Sequence, residues 1–284
     1  MPNYHRTIQE EFVIEGYSPF TGRRNKLVLK PSKNGKIIFN HNNRSIPVDP
    51  QSIHLDPTIH ASIIKNHRTK ILEVEHLLAT LYAFGISSVD IELIGDNGIP
   101  LVDGSAETFT KIIGNLKTIS TKQRRPLLNI DRELHFSDKE TGGQAVIKPS
   151  TDLELSLKIS FPNLIGDQNF STKVTKENFV NEISWARTFL RSPLDSSGEK
   201  WARVRKLIPA LPPDPKDSPI IVYSDTKFIT KLRSKNEPAR HKALDLIGDL
   251  SLMGKEIKGS FFVQNPGHNF NQKLVLFLND IYFK

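Results

Sequence analysis

A repeated pentapeptide, each time beside strand-like sequence, is the feature that most limits how this chain can fold. The residues VLKPS at 28–32 recur as VIKPS at 146–150. An apolar helix-like segment and then a strand-like segment follow each copy, with His76 to Gly85 echoed by His241 to Gly254. Shared order around a repeated motif indicates duplication of one structural unit. We therefore expect an α+β fold of two similar domains, each a β-sheet layer packed with helices.

The domain boundary is expected in the polar stretch 118–126, which separates residues 1–122 from residues 123–284. Two such domains would form a cleft between them, and ligand sites are common in clefts of this kind. The second domain also carries a proline-rich insertion at about 190–219. Because it is rich in proline and charge, we expect this insertion at the surface, over or beside the cleft.

Local patterns give the elements of the first domain. Short apolar runs at 26–30 and 36–39, separated by proline, asparagine and glycine, predict a hairpin. Apolar residues at helical spacing predict a helix over 73–84 that stops at Gly85. The alternating segment 88–95 predicts a strand.

Composition narrows the kinds of partner and site. The 284 residues include 39 Lys and Arg against 31 Asp and Glu, a surplus of +8 that favours anionic partners. Cysteine is absent, so a transition metal must be held by His, Asp or Glu. The N-terminus has no apolar run, and no stretch approaches the roughly 20 apolar residues that span a bilayer. We expect a cytoplasmic protein.

The pair His241 and Asp245 is the strongest candidate for a metal site. Four residues along a helix bring two side chains onto one face, and zinc accepts both imidazole and carboxylate ligands. The alternative is a surface helix with an incidental His–Asp pair.

Glu75 and His76 start an apolar helix, where charged groups are unexpected. Adjacent residues diverge by about 100° on a helix, so one can bind a metal while the other faces the water that the metal activates. The alternative is an acidic residue that stabilises a helix start. His268 follows a strand in a turn, from which it could act as an acid or stabilise an oxyanion, or simply be a satisfied turn residue.

Five motifs together resemble those of UDP-3-O-acyl-N-acetylglucosamine deacetylase. They occur in that family's order, at similar separations, across nearly the whole chain. The motifs are ILEVEHL at 71–77, IPLVDGSA at 99–106, ARTF at 186–189, RHKALDLIGDL at 240–250 and Gly267-His268.

The resemblance implies a zinc-dependent hydrolase of lipid A biosynthesis that removes the N-acetyl group of a nucleotide-sugar as acetate. His76, His241 and Asp245 would hold the zinc ion, for which Fe²⁺ could substitute. Glu75 would be the general base.

The other roles implied by the resemblance fall to the second half of the chain. His268 would stabilise the oxyanion and protonate the departing amine, and Asp249 would keep it cationic. Thr188 would donate a hydrogen bond to the oxyanion. Lys242 would meet the diphosphate, and Phe189 would contact the substrate. The alternative for Lys242 is an exposed helix lysine.

Two departures from the family leave the substrate more open than the reaction. Phe20 stands where the family usually has a histidine, and the insertion at 207–215 lacks a Gly-Gly-Ser turn that belongs to acyl recognition. A related N-acetyl-amino sugar with a different acyl group, or with none, is therefore an alternative substrate.

The expected partner is a nucleotide-sugar lipid precursor. Peripheral contact with a membrane is compatible with such a substrate, and no stable nucleic-acid partner is expected. The alternative class is a non-catalytic protein that binds anions or nucleic acid through the basic stretch 200–206 around Trp201.

Overall fold

The computed structural model describes residues 3–19, 21–100, 103–162, 164–191 and 198–284, with backbone only at 198–200, 203 and 207. Within them the strands are β1 (Tyr4–Ile8), β2 (Phe12–Tyr17), β3 (Arg24–Pro31), β4 (Ile37–His41), β5 (Arg44–Pro47), β6 (Ile63–Asn66), β7 (Thr69–Leu72), β8 (Val89–Ile94), β9 (Thr118–Arg124), β10 (Leu127–Asn129), β11 (Leu134–Asp138), β12 (Gly143–Lys148), β13 (Leu153–Phe161), β14 (Gly166–Lys173), β15 (Phe189–Arg191), β16 (Ile221–Tyr223) and β17 (Glu256–Gln264). The helices are α1 (Glu75–Ala83), α2 (Glu107–Gly114), α3 (Lys176–Asn178), α4 (Gly198–Leu207), α5 (Glu237–Ser251) and α6 (His268–Phe283).

Two sheets with the same strand order form the framework. The first runs β2-β3-β8-β4-β5 and the second β11-β12-β17-β13-β14, with β10 added alongside β17. In each sheet the central strand follows a helix and is antiparallel to one neighbour and parallel to the other. The two pentapeptides occupy matching places, in β3 beside β8 and in β12 beside β17. The α+β class is confirmed, and the strand order supports the duplication. The boundary between 122 and 123 stays a prediction.

The hairpin predicted for residues 26–30 and 36–39 is wrong. Both segments are strands, β3 and β4, but β8 lies between them and pairs with each. Val89, Ile91 and Leu93 alternate along β8 and bury one face of this strand in the core, and its pairing with both β3 and β4 places it at the centre of the sheet. The strand predicted over 88–95 is confirmed.

The helix predicted over 73–84 begins two residues later than expected. Glu73 has a φ of +66°, a left-handed conformation that an α-helix cannot include, so α1 starts at Glu75. At the other end Gly85 adopts φ +70° and terminates the helix as predicted. The corner at Glu73 matters because it sets the direction from which the first turn of α1 enters the core.

Helices α1 and α5 cross at unusually short range. At the crossing, Gly248 of α5 lies directly on the backbone of Glu75, and a Cβ there would be 2.7 Å from the carbonyl carbon of Glu75. Nearly every residue of α5 is buried, as is most of α1, so both helices lie in one continuous core. The crossing therefore brings the first turn of α1 against the C-terminal half of α5.

The described part of the insertion is a small unit with its own apolar cluster. Strands β15 and β16 pair in parallel, and Trp201 of α4 packs with Leu211 and Val222. Trp201 is 3% exposed and its indole nitrogen donates to the carbonyl of Pro212 at 2.9 Å. The Trp201 ring is therefore not available to stack on a nucleic-acid base. The alternative of nucleic-acid binding by residues 200–206 then depends on their basic side chains without this aromatic ring. Among the described residues, the helices are all too short or too polar to cross a membrane.

Candidate active site

The three predicted metal ligands converge at the crossing of α1 and α5. His76 is the second residue of α1, and His241 and Asp245 lie one turn apart on α5. One ligand atom from each residue lies within 4.8 Å of the other two. The Nε2 atoms of His76 and His241 are 3.4 and 3.3 Å from Oδ1 of Asp245. All three side chains are buried.

Burial and neighbouring charge set the protonation of the cluster. Burial lowers the pKa of His241 to about 3, so its imidazole is neutral. Its Nδ1 donates to the carbonyl of Ala186 at 3.2 Å, which leaves the Nε2 lone pair facing the cluster. Burial alone would raise the pKa of Asp245, but its electrostatic interactions with His241 and Lys242 outweigh burial and hold this pKa well below its usual value. A neutral imidazole and an ionised carboxylate are the forms that bind metals.

The residues present fit a divalent metal ion. Within the described part of the chain, the buried Oδ1 of Asp245 has no hydrogen-bond partner, although two imidazole nitrogens point toward it. Buried polar atoms are nearly always paired, so this atom calls for a cation. Two imidazoles and one carboxylate are also a donor set found at catalytic zinc sites, which keep a further position open.

Glu75 lies beside this ligand set, and the backbone of Ser62 holds one oxygen of its carboxylate. Its Oε2 accepts from the backbone N–H of Ser62 at 3.0 Å, and its Oε1 is 4.0 Å from Nε2 of His268. Burial raises the pKa of Glu75, while its electrostatic interactions with His268 and His76 oppose that shift. The result is a buried carboxylate more basic than usual.

His268 begins α6 and faces both Glu75 and the ligand set. Its Nδ1 is 3.0 Å from Oδ2 of Asp249, and its Nε2 is 3.8 Å from Oδ2 of Asp245. Burial would lower the pKa of His268, but Asp249 and then Asp245 overcome it and raise the pKa to about 9. Asp249 is fully buried and also accepts from Asn271 at 2.8 Å. At neutral pH, His268 is therefore a cation with Nε2 free to donate into the site.

Thr188 and Phe189 belong to the segment that runs past the ligand His241. The backbone of Thr188 is fixed by a hydrogen bond from its N–H to the carbonyl of Gly104 at 2.7 Å. In the chain, Thr188 lies between two residues that contact His241. The carbonyl of Ala186 accepts a hydrogen bond from His241, and the ring of Phe189 lies edge to face with the His241 ring at a centroid distance of 6.0 Å. The structure thus places the Phe189 ring against a ligand and Thr188 next to it in the chain, while the roles of both residues stay predictions.

Lys242 is drawn into the site and is not an exposed helix lysine. Its ammonium lies 2.8 Å from Oδ2 of Asp245 and 5.4 Å from the centroid of the Phe189 ring. The predicted contact with a diphosphate stays a prediction, and the position of Lys242 beside an aromatic ring at the edge of the ligand set is compatible with it.

Several polar residues of this site were missed by the sequence argument. Ser62, Asn271 and Gln272 are buried and bond to one another or to Asp249. The available signal is weak, since Ser62 precedes an apolar strand and the Asn-Gln pair interrupts an apolar helix. Phe20, the departure noted near the N-terminus, lies outside the described residues.

Comparisons with known proteins agree with this geometry. The model of the family described as UDP-3-O-acyl N-acetylglycosamine deacetylase matches residues 5–280. A protein named UDP-3-O-acyl-N-acetylglucosamine deacetylase from Thermodesulfovibrio yellowstonii is 34% identical over 282 residues, which cover 96% of this chain and 92% of the relative. Relatives of the same name from Aquifex aeolicus and Campylobacter fetus are 33% and 28% identical, cover 95% and 96% of this chain, and are themselves covered over 91% and 90%.

Proposed function

Because the chain belongs to the UDP-3-O-acyl N-acetylglycosamine deacetylase family, we propose that it hydrolyses the N-acetyl group of a UDP-3-O-acyl-N-acetylglucosamine, a step of lipid A biosynthesis. The observation that carries this proposal is the convergence of His76, His241 and Asp245 beside a buried Glu75 and a cationic His268. The proposed metal is zinc, and the proposed location is the cytoplasm. When bound, zinc supplies polarisation of the amide carbonyl and activation of water.

Two side chains, Glu75 and His268, carry out the proton transfers. Glu75 takes the proton of the attacking water, and its raised pKa makes it a better base near neutral pH. Water oxygen then bonds to the acetyl carbon. Thr188 and the His268 imidazolium donate to the oxygen on which negative charge develops. As the carbon–nitrogen bond breaks, Nε2 of His268 gives its proton to the leaving nitrogen, and acetate and a free amine are released.

Substitution of Glu75 by glutamine tests the proposal. Glu75→Gln keeps the shape and an oxygen for the Ser62 N–H but removes the base, so acetate release should fall by at least about 10²-fold while the metal content is retained. The measurements are acetate and amine release from UDP-3-O-acyl-N-acetylglucosamine, with metal analysis of the purified protein. Glu133→Gln, an exposed carboxylate paired with Lys148, is the matched control and should leave turnover unchanged.

Two results would contradict the proposal: a zinc-loaded wild-type protein that releases no acetate, or a Glu75→Gln variant with full turnover. The same assay with UDP-N-acetylglucosamine, which lacks the acyl chain, separates the main substrate from the alternative left open by the altered insertion. Equal turnover of the two compounds would favour the alternative.

A further inference from the structure

Ser62 contacts both proton-transfer groups, Glu75 and His268. It lies just before β6 and is fully buried. Its backbone N–H donates to Oε2 of Glu75 at 3.0 Å. Its carbonyl accepts from the backbone N–H groups of Glu73 and Val74 at 2.9 and 3.4 Å. Ser62 therefore holds both the general base and the left-handed corner from which α1 starts.

The side chain of Ser62 reaches the other proton-transfer group. Its Oγ is hydrogen-bonded to Oδ1 of Asp249 and lies 3.1 Å from Nδ1 of His268. The amide nitrogen of Gln272 approaches the same oxygen at 3.0 Å. The partners Asp249 and His268 come from α5 and α6, about 190 and 200 residues further along the chain.

Counting protons fixes the direction of these bonds. The Asp249 carboxylate can only accept, so the single proton of the Ser62 hydroxyl is donated to its Oδ1. Gln272 must then donate its N–H to Ser62, while His268 and Asn271 donate to Oδ2 of Asp249. Each oxygen of Asp249 is thereby held by separate donors, which fixes the plane of the carboxylate and hence the ring of His268.

We infer that Ser62 is a positioning residue that aligns the base Glu75 and the acid His268 through one rigid connection. The inference rests on the proposed function. Its backbone acts on Glu75, while its hydroxyl acts on His268 through Asp249. Ser62→Ala removes the hydroxyl contact with Asp249 and keeps the backbone contact with Glu75. Loss of a residue that orients a metal ligand typically lowers metal affinity or activity by about 10- to 100-fold. By analogy, loss of a residue that orients the acid should lower kcat by a similar factor, with KM changed less than about 3-fold.

The experiment compares kcat, KM, zinc content and the melting temperature of three zinc-loaded variants with wild type. Ser62→Thr keeps the hydroxyl and should restore most of the kcat lost in Ser62→Ala. Ser88→Ala is the matched control, because the Ser88 hydroxyl is equally buried and makes two hydrogen bonds, to the Ser32 carbonyl at 2.8 Å and from the Gly35 N–H at 3.0 Å. It should lose stability without loss of kcat.

A double-mutant cycle with Asp249→Asn separates positioning from general destabilisation. If Ser62 acts through Asp249, adding Ser62→Ala to Asp249→Asn should lower kcat by less than about 3-fold further. Additive losses, a defect confined to KM or zinc content, or a Ser62→Ala kcat within 3-fold of wild type would each overturn the inference. Wild-type protein without acetate release would instead mark failure of the proposed function. In that case the NMR resonance of the His268 Nδ1 proton tests the connection, since it should move in Ser62→Ala and stay in place in Ser88→Ala.

Discussion

The close crossing of α1 and α5 makes Gly248 the most informative position outside the ligand set. Its hydrogen atom faces the backbone of Glu75, the residue next to the ligand His76. Gly248→Ala would place a Cβ 2.7 Å from the carbonyl carbon of Glu75 and 2.8 Å from its Cα. Both are backbone atoms, so no side-chain rotation can relieve the contact.

The size of the effect follows from the distances. The atom nearest to the new Cβ is the carbonyl oxygen of Glu75, and the carbonyl carbon is already 0.7 Å inside the 3.4 Å at which ordinary contact begins, so the helices must separate by more than that amount. Overpacking of this kind costs about 1–3 kcal/mol of stability. The same separation pulls His76 away from His241 and Asp245. Because a misplacement of about 1 Å can cost on the order of 10²-fold in rate, we expect kcat/KM to fall by about 10- to 100-fold.

The assay is acetate release at saturating zinc, together with zinc affinity and thermal unfolding. Gly114→Ala is the control, because Gly114 is also helical and its Cβ would lie 3.4 Å from the Phe84 ring, an ordinary contact. That variant should be neutral or more stable by up to about 1 kcal/mol. Wild-type zinc affinity and turnover in Gly248→Ala would refute the claim that the crossing distance sets the site.

Two further predictions concern buried charge. Glu237 is fully buried and pairs with Arg187 at 2.9 Å, so Glu237→Ala should lower the free energy of unfolding by about 3–5 kcal/mol, as measured by chemical denaturation. Lys111→Ala, which removes one partner of an exposed ion pair within a helix, should lower it by no more than about 0.5 kcal/mol. Equal losses in the two variants would contradict the prediction. In metal-free protein, His268 should titrate near 9 by NMR. Since this pKa is raised above 6.5, its contribution to stability is complete below pH 6.5 and is lost as pH rises through 9. Asp249→Asn should lower this pKa, and an unchanged value would argue against the Asp249 contact as its cause.

Local sequence was sufficient for the parts of the site that lie on single helices. The spacing of His241 and Asp245 predicts a shared face wherever α5 lies, and the charged pair Glu75 and His76 is conspicuous at the start of an apolar helix. The resemblance then assigned these residues to one metal. Their actual convergence depends on the crossing at Gly248, which no local pattern encodes, because it is a property of two helices that are far apart in sequence.

The failures have the same origin. The proline that ends β3 and the asparagine and glycine that follow it are typical of turns, but turn chemistry cannot reveal that β8, some 50 residues later, inserts between β3 and β4. Ser62 was missed because a serine before an apolar strand is ordinary, and its importance comes from partners 187 and 206 residues away. Contacts of such long range need the fold before they can be seen.

The duplicated topology explains why the site lies where it does. In each half a helix immediately precedes the central strand, α1 before β8 and α5 before β17, and these equivalent helices pack against each other. The ligand set is split across them, with His76 on α1 and His241 and Asp245 on α5. Neither copy of the repeated unit holds a complete set, so the site depends on both halves of the chain. A change at the contact between α1 and α5 is therefore also a change at the metal site.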